Sequence, residues 1–213
     1  MKENKNIFTR ILPLYGWISI LLMATINVIT FIGTRFVNKN FTHYDFTLSI
    51  DYAIPFVKEF IVVYIIFAYL QWAYGYFLSA REDKSTCLRI FSSEIIAKLI
   101  CFVCFLVIPT TMQRANVTGD DFFSKSVRLM YGIDSADNLF PSIHCLESYL
   151  LARTLPLLKK APRWYKIITW PVSILVFASV LFVKQHVIVD VFSAIAAVEI
   201  GILLSKIIFR EKK

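Results

Sequence analysis

Four residues in two distant parts of the chain have the types and spacings that acid–base or nucleophilic chemistry requires. His186 and Asp190 are four residues apart, so on a helix they share one face and can touch. A carboxylate that accepts a hydrogen bond from one imidazole nitrogen orients the other nitrogen for attack or proton transfer. A polar pair that only anchors the end of a helix would have the same spacing.

The second pair, Ser142 and His144, follows Pro141 at the start of an apolar segment. Proline suits the first turn of a helix, where the free backbone N–H groups attract anions. Ser142 would add a hydroxyl donor, and His144 could donate a proton to a leaving oxygen. The alternative is an ordinary helix cap beside an interfacial histidine.

Two basic residues are predicted on the same face as these pairs. Arg114 lies just past the third apolar segment, and its guanidinium fork matches the geometry of a phosphate. Lys184 precedes His186 by two residues. A single cation in a loop is usually only solvated, but two cations, two histidines and a helix N-terminus together indicate a phosphate site.

Helices that cross a membrane are expected to position these residues. The chain of 213 residues is 57% hydrophobic, and several stretches of about 18–22 residues are long enough to span a bilayer of about 30 Å. We expect residues 1–213 to form a single all-α, polytopic membrane domain, because a membrane barrel would show short alternating segments. The six predicted transmembrane helices are Ile11–Phe31, Phe56–Leu78, Ile90–Ile108, Ser142–Leu158, Ile167–Val183 and Val187–Ile208. The loop from Pro109 to Pro141 is the longest connection and shows no obvious secondary structure, which is typical of a functional or mobile loop.

The distribution of basic residues predicts the orientation. Fourteen lysines and arginines fall in the termini and in the loops of one side, and seven fall on the other side. The positive-inside rule then places both termini in the cytoplasm, with the loops at 32–55, 109–141 and 184–186 outside. We expect a lipid bilayer as partner, not nucleic acid, because the basic residues cluster between apolar runs. Richness in Lys, Ile, Phe and Asn favours a bacterial cytoplasmic membrane.

Charged residues inside the predicted spans are expected to form pairs. Glu94 and Lys98 are four apart on one helix, and Arg153 and Glu199 lie at similar depth on two helices. Glu94 and Lys98 are predicted to form a favourable pair, and a structural role is predicted for Arg153 and Glu199, with a proton path as the alternative. Glu147 lies about one and a half turns below the proposed site, where it could support His144 or line an entrance for lipid.

The motifs resemble those of the type-2 phosphatidic-acid phosphatase superfamily of membrane lipid phosphatases and phosphotransferases, over about residues 90–205. Pro141-Ser142-Ile143-His144 is similar to the family's Pro-Ser-Gly-His motif, and His186 followed by Asp190 is similar to its third motif. We therefore expect that family's helical core.

The sequence departs from the family pattern where two cations are usual, at Val107 and Val180. Lys184 is a candidate replacement for one of them, and Lys125 or Arg128 for the other. This pattern resembles the branch that contains inositol-phosphorylceramide synthases and related bacterial proteins.

The resemblance implies a role for each matching residue. His186 would attack phosphorus and form a phosphohistidine, Asp190 would orient it, and His144 would protonate the leaving group. Ser142 and Arg114 would hold the phosphoryl oxygens. No cofactor and no obligatory metal are implied.

The predicted function is therefore that of an integral membrane lipid phosphatase, acting at the extracytoplasmic face. Its substrate would be a phosphomonoester or pyrophosphate of a membrane lipid, such as a phosphatidate-type lipid, phosphatidylglycerol phosphate or a polyprenyl pyrophosphate. A head-group phosphotransferase of the inositol-phosphorylceramide synthase type, with an alcohol as acceptor, is the first alternative. A non-catalytic lipid-binding or transport protein is the second: the missing cations favour it, and the presence of all four core residues opposes it.

Overall fold

A computed structural model describes residues 11–209, and these are mostly helical. The helices in chain order are α1 (Leu14–Asn38), α2 (Ser49–Ala53), α3 (Lys58–Arg81), α4 (Lys84–Val107), α5 (Phe122–Ile133), α6 (Ile143–Thr154), α7 (Arg163–Phe182) and α8 (Ile188–Ile208). Two short strands, β1 (Tyr44–Asp45) and β2 (Thr110–Thr111), pair in parallel. Five helices (α1, α3, α4, α7 and α8) are long and apolar enough to cross a membrane.

The span predicted at Ser142–Leu158 is a shorter helix in the structure. There α6 has 12 residues and is followed by a 3₁₀ turn at Leu155–Leu157. Twelve residues rise about 18 Å, which is less than the hydrocarbon thickness of about 30 Å. Eight of the 12 residues are buried, because α6 packs against α3, α4, α7 and α8. Because α6 is enclosed by protein, its length does not have to match the thickness of the bilayer. The length of the apolar segment in the sequence therefore did not predict the length of the helix.

Contacts between the connections identify one end of the helix bundle. The Tyr15 hydroxyl donates to the Glu82 carbonyl oxygen (2.7 Å), and the Lys160 amide donates to the Glu82 carboxylate (2.7 Å). The Ser205 hydroxyl near the end of α8 donates to the Arg89 carbonyl oxygen near the start of α4 (2.8 Å). The start of α1, the α3–α4 and α6–α7 connections and the end of α8 therefore lie together.

The opposite end, called the site end below, gathers the three loops that were predicted to share a face. The Val57 amide donates to the Phe182 carbonyl oxygen (3.0 Å), and the Ser142 amide donates to the Asp190 carbonyl oxygen (3.1 Å). The two motifs, Pro141-Ser142-Ile143-His144 and His186 with Asp190, lie here. Residues 1–10 and 210–213, with six of the 14 basic residues behind the predicted orientation, lie outside the described residues.

Close contact between α4 and α8 holds the centre of the bundle together. A Cβ atom added at Gly201 of α8 would lie 2.2 Å from the Ser93 carbonyl oxygen of α4. Only glycine lets the two backbones approach this closely. The small residue therefore fixes the position of α8, whose first turn contains Asp190.

The connection from Pro109 to Pro141 contains α5, which the sequence interpretation missed. The Asp121 carboxylate caps this helix by accepting the amide N–H groups of Phe123 (3.0 Å) and Ser124 (3.1 Å). Three residues at helical spacing form its buried face: Ser124, Val127 and Met130. Large apolar residues remain exposed on it: Phe122, Leu129 and Ile133. An amphipathic helix therefore covers part of the site end.

Candidate active site

His186 and Asp190 form the hydrogen-bonded pair that their spacing predicts. Nδ1 of His186 lies 3.1 Å from Oδ2 of Asp190. The same oxygen accepts the backbone N–H of Val187 at 3.1 Å, so the carboxylate is held from two sides. Because Nδ1 faces the carboxylate, Nε2 is the nitrogen of His186 that remains for a substrate.

Two aromatic side chains of α3 enclose the ring of His144. Tyr64 stacks on it with a centroid distance of 4.1 Å, and Trp72 lies at 5.0 Å. The Trp72 indole is itself held by a hydrogen bond to the Ser148 hydroxyl (2.9 Å). Nε2 of His144 is buried and has no hydrogen-bond partner among residues 11–209. The cage fixes the ring and leaves one nitrogen able to give or take a proton.

His186 lies between two cavities of different character. The larger one, called the groove below, has a volume of about 920 Å³, lies between α1 and α3, and includes His144 and Glu147 in its wall. Its other walls are mainly apolar, among them Met23, Phe31, Trp72, Leu129 and Ile133. Leu129 and Ile133 in its wall are also exposed to the surroundings of the protein, so the groove reaches the surface of the bundle. An apolar chain could therefore enter from the side.

The second cavity, called the small pocket below, has a volume of about 220 Å³. Its wall contains apolar side chains and also a group of polar and charged ones: Thr47, Asp51, Gln113, Arg114 and Lys184. His186 contributes to the walls of both cavities. An amphipathic molecule could therefore place its apolar part in the groove and its polar part in the small pocket, with the junction at His186.

Arg114 provides an unpaired cation beside His186. All three guanidinium nitrogens are buried and have no hydrogen-bond partner within residues 11–209. The guanidinium lies 4.5 Å from the centre of the Tyr131 ring, a cation–π distance. Burial lowers the pKa of Arg114, against the raising effect of Asp134, but a guanidinium stays protonated in proteins. Burying unpaired donors on a cation is costly, so this site favours an anion.

Lys184 also lies in the small pocket, but its ammonium is already engaged. Nζ donates to the carbonyl oxygens of Asp51 (2.9 Å) and Ile54 (2.6 Å). Burial lowers the pKa of the amine. Its positive charge can still act on a phosphate, although two of its three N–H groups are used.

Ser142 is brought near the site but not to the wall of either cavity. Its side chain is buried and caps α6 by accepting the Cys145 amide at 3.4 Å. Its backbone amide joins α6 to the first turn of α8 through the Asp190 carbonyl oxygen. The geometry therefore gives Ser142 a positioning contact instead of the predicted phosphate contact.

The other candidate cations do not reach the site. Arg128 on α5 donates to the carbonyl oxygen of Gly119 (2.7 Å), and Lys125 is exposed. Val107, where the family pattern has a cation, is 69% exposed at the end of α4. Val180 is the second position where the family pattern has a cation, and its carbonyl oxygen accepts the backbone N–H of His186 (3.1 Å). In the described part of the chain, neither Lys125 nor Arg128 lines either cavity.

A buried polar cluster lies below His144, and the sequence revealed only part of it. Nζ of Lys98 lies 3.2 Å from Oε1 of Glu94, as the four-residue spacing predicts. The ammonium also contacts Glu147 and the side-chain oxygen of Asn27. The Tyr76 hydroxyl donates to Glu147 as well. These five residues, called the floor cluster below, join α1, α3, α4 and α6 beneath the groove.

The predicted pair of Arg153 and Glu199 is confirmed. Nε of Arg153 donates to Oε1 of Glu199 at 2.8 Å, and Tyr149 donates to the same oxygen. This pair links α6 to α8 away from both cavities. It therefore belongs to the packing of the bundle and not to the site.

The aspartates near α5 form ion pairs with basic residues. Arg35 contacts Asp134 (2.7 Å) and Asp137 (2.6 Å), and Lys58 contacts Asp121 (2.6 Å). The hydrogen bond from Lys58 lowers the pKa of the Asp121 carboxyl. Within residues 11–209, no group of three or more His, Cys, Asp or Glu side chains could hold a metal ion.

Comparison of the chain with models of known protein families, with curated proteins and with solved structures finds no match in any of the three.

Proposed function

We propose that this protein is an integral membrane lipid phosphatase of the type-2 phosphatidic-acid phosphatase kind. The observation that supports this most strongly is the unpaired Arg114 guanidinium on the wall of a pocket shared with His186. His186 in turn has one nitrogen held by Asp190 and the other available. An anion-binding group beside an oriented nucleophile is what phosphoryl transfer requires.

The two cavities suggest how a lipid phosphate would lie. Its hydrocarbon chains would occupy the groove, and its phosphoryl oxygens would reach Arg114 in the small pocket. His144 lines the groove, so it would meet the oxygen that joins phosphorus to the lipid. The bond that breaks is then the one between phosphorus and this oxygen.

The proposed reaction has two steps. In the first, Nε2 of His186 attacks phosphorus, the bond to the lipid oxygen breaks, and that oxygen takes a proton from His144. In the second, neutral His144 takes a proton from water, the resulting hydroxide attacks phosphorus, and the N–P bond breaks to release phosphate. The Asp190 carboxylate would stabilise the positive imidazole of the phosphohistidine.

Head-group phosphotransfer is a second candidate, favoured by the charge of the small pocket. Of the two cations there, Arg114 has no engaged donor within residues 11–209, whereas Lys184 uses two of its three N–H groups. A phosphodiester has a charge of −1, whereas a phosphomonoester approaches −2 at neutral pH because its second pKa is about 6. One free guanidinium balances the diester better, and the pocket has room for a polar group attached to phosphorus.

The decisive experiment measures phosphate release in detergent with EDTA from phosphatidate, phosphatidylglycerol phosphate and a polyprenyl pyrophosphate. Wild-type protein is compared with His186→Ala and, as a matched control, with His43→Ala, because His43 lies in a loop and lines neither cavity. We expect release in EDTA that falls at least about 10³-fold in His186→Ala and is unchanged in His43→Ala. Near-normal release by His186→Ala would refute the nucleophile assignment.

Adding alcohols separates the two enzymatic candidates. If phosphate is not released from any lipid, the same proteins are given phosphatidylinositol or phosphatidylglycerol with lipid alcohols, and the lipid products are analysed. A new phospholipid formed by wild type and absent with His186→Ala would identify the phosphotransferase. No product in either assay would leave a non-catalytic lipid-binding or transport role.

The proposed location is a bacterial cytoplasmic membrane with the site end outside and both termini in the cytoplasm. Lys125 on α5 and Lys159 in the α6–α7 connection are exposed at opposite ends of the bundle. A membrane-impermeant thiol reagent should label Lys125→Cys but not Lys159→Cys in intact cells. The reverse pattern would overturn the orientation.

A further inference from the structure

The floor cluster reaches the groove one helical turn below His144. Glu147 follows His144 by three residues on α6, so it lies about 5 Å further along the helix on the same side. Both residues line the groove. Asn27 of α1 lies on the wall as well, and its amide Nδ2 is 3.3 Å from Oε1 of Glu147. An otherwise mainly apolar groove therefore contains a polar spot at a defined distance from His144.

Asn27 is the member of the cluster with a hydrogen-bond donor to spare. Lys98 is fully buried and is not part of the groove wall, and the Tyr76 hydroxyl already donates to Glu147. The Asn27 side chain is only partly buried, and its amide has two N–H groups. One of them donates to Glu147, and no partner for the second is found within residues 11–209. That second N–H can serve an acceptor in the groove.

We infer that the groove selects lipid phosphates with a carbonyl group close to the phosphate, and that Asn27 donates to this carbonyl. The inference rests on the proposed function. The ester carbonyls of a glycerolipid and the amide carbonyl of an N-acylated lipid both lie a few bonds from the phosphate oxygen. This separation is about the rise of one helical turn, which is the distance along α6 between His144 and the polar spot. A polyprenyl chain has only hydrocarbon there and would leave the donor unpaired, which is costly.

Binding to a protein that cannot turn over tests the inference without relying on activity. The ligands are a diacyl phosphatidate, its dialkyl ether analogue with the same chains, a ceramide phosphate and a polyprenyl phosphate, each titrated into His186→Ala in detergent. We expect the two carbonyl-containing lipids to bind about 5–10-fold more tightly than the ether analogue, the usual effect of one hydrogen bond. The polyprenyl phosphate should bind no better than the ether.

Substitution of Asn27 assigns the effect to a residue. In the His186→Ala background, Asn27→Leu should weaken binding of the carbonyl lipids to the level of the ether and leave the ether unchanged. Leu21 is exposed on α1 outside the groove wall, and Leu21→Met conserves volume, so it serves as the control that keeps the preference. If Asn27→Leu fails to fold because Lys98 loses a partner, the comparison of diacyl and ether lipids on the parent protein still decides.

Each result has a definite meaning. Equal affinities for diacyl and ether lipids, or a preference that survives Asn27→Leu, would overturn the inference and leave the proposed phosphatase intact. A carbonyl preference without phosphate release from wild type would instead support the inference and refute the phosphatase. A preference for only one carbonyl lipid would identify the ester or the amide as the recognised group, and no binding of any lipid would refute both proposals.

Discussion

The Lys98 ammonium balances two buried carboxylates, so Lys98→Met is expected to destabilise the protein by about 3–5 kcal/mol. Lys98 and Glu94 have no exposed side-chain surface, and Glu147 is 2% exposed. Methionine matches the length of lysine but removes its charge. Both carboxylates would then stay buried without their cation, the situation in which breaking an ion pair is most costly.

The size of this loss in stability follows from the distance between the charges and from the hydrogen bonds that the carboxylates keep in Lys98→Met. At 3.2 Å and an effective dielectric constant of 20, one pair of unit charges attracts by about 5 kcal/mol. Tyr76 and Asn27 would still donate to Glu147, whereas Glu94 accepts no hydrogen bond from residues 11–209 besides its contact with Lys98, so most of the loss falls on Glu94. Glu94 can also take up a proton, which limits the loss to the range for one broken buried pair.

Thermal unfolding in detergent measures the effect. For a chain of this length 1 kcal/mol shifts Tm by about 2–4 °C, so Lys98→Met should lower Tm by about 10 °C. Adding Glu94→Gln should restore part of the loss, because it removes the unpaired carboxylate. Lys125→Met is the control: its side chain is exposed and forms no ion pair within residues 11–209, so Tm should not change measurably. The reasoning is refuted if Lys98→Met unfolds like the control, or if the double variant is less stable than the single.

Three further substitutions test the site and the packing. Asp190→Asn should reduce single-turnover phosphate release by about 10²–10⁴-fold through loss of charge and orientation, with little change in Tm; a change in Tm alone would show that the pair only anchors α8. Arg114→Gln should lower kcat/KM about 100-fold while stability stays the same or rises, because an unpaired buried cation is removed; unchanged kinetics would exclude Arg114 from phosphate binding. Gly201→Ala should lower Tm because the added Cβ meets the backbone of α4. Gly132→Ala should keep or raise it, because the added Cβ meets no atom within 4 Å among residues 11–209 beyond its chain neighbours and the backbone of its own helix; equal effects would contradict the close packing of α4 and α8.

Local spacing made part of the site predictable from the sequence. A separation of four residues on one helix places side chains side by side whatever the rest of the fold does, so the contacts of His186 with Asp190 and of Glu94 with Lys98 follow directly. The amphipathic spacing of α5 was also readable, since Phe123, Val127 and Met130 recur at helical intervals. The sequence interpretation missed α5 because the connection that contains it is long and rich in polar residues.

Contacts that depend on how helices rotate against each other were not predictable in the same way. The apolar pattern of α3 does not reveal that Tyr64 and Trp72 turn inward and enclose His144. Asn27 joins Lys98 and Glu147 for the same kind of reason, because α1, α4 and α6 meet there. The helical periodicity of a sequence predicts which residues share one face of a helix. It does not predict which face of a neighbouring helix they contact, because that depends on the packing of the whole bundle.

The short α6 explains why the site is recessed within the bundle. With 12 residues it rises about 18 Å, whereas α4 with 24 residues rises about 36 Å. Tyr64, which stacks on His144, is the seventh residue of α3, so the ring of His144 lies about 9 Å below the start of that helix. A phosphate at this depth is largely removed from water, and its attraction to Arg114 is stronger there than at the surface.

The wide opening at this depth is the groove between α1 and α3, which faces the surroundings of the bundle. A lipid phosphate would therefore approach sideways from the bilayer with its chains leading, so the proposed enzyme should act on lipids held in a membrane or micelle and show little activity toward a short water-soluble phosphate ester.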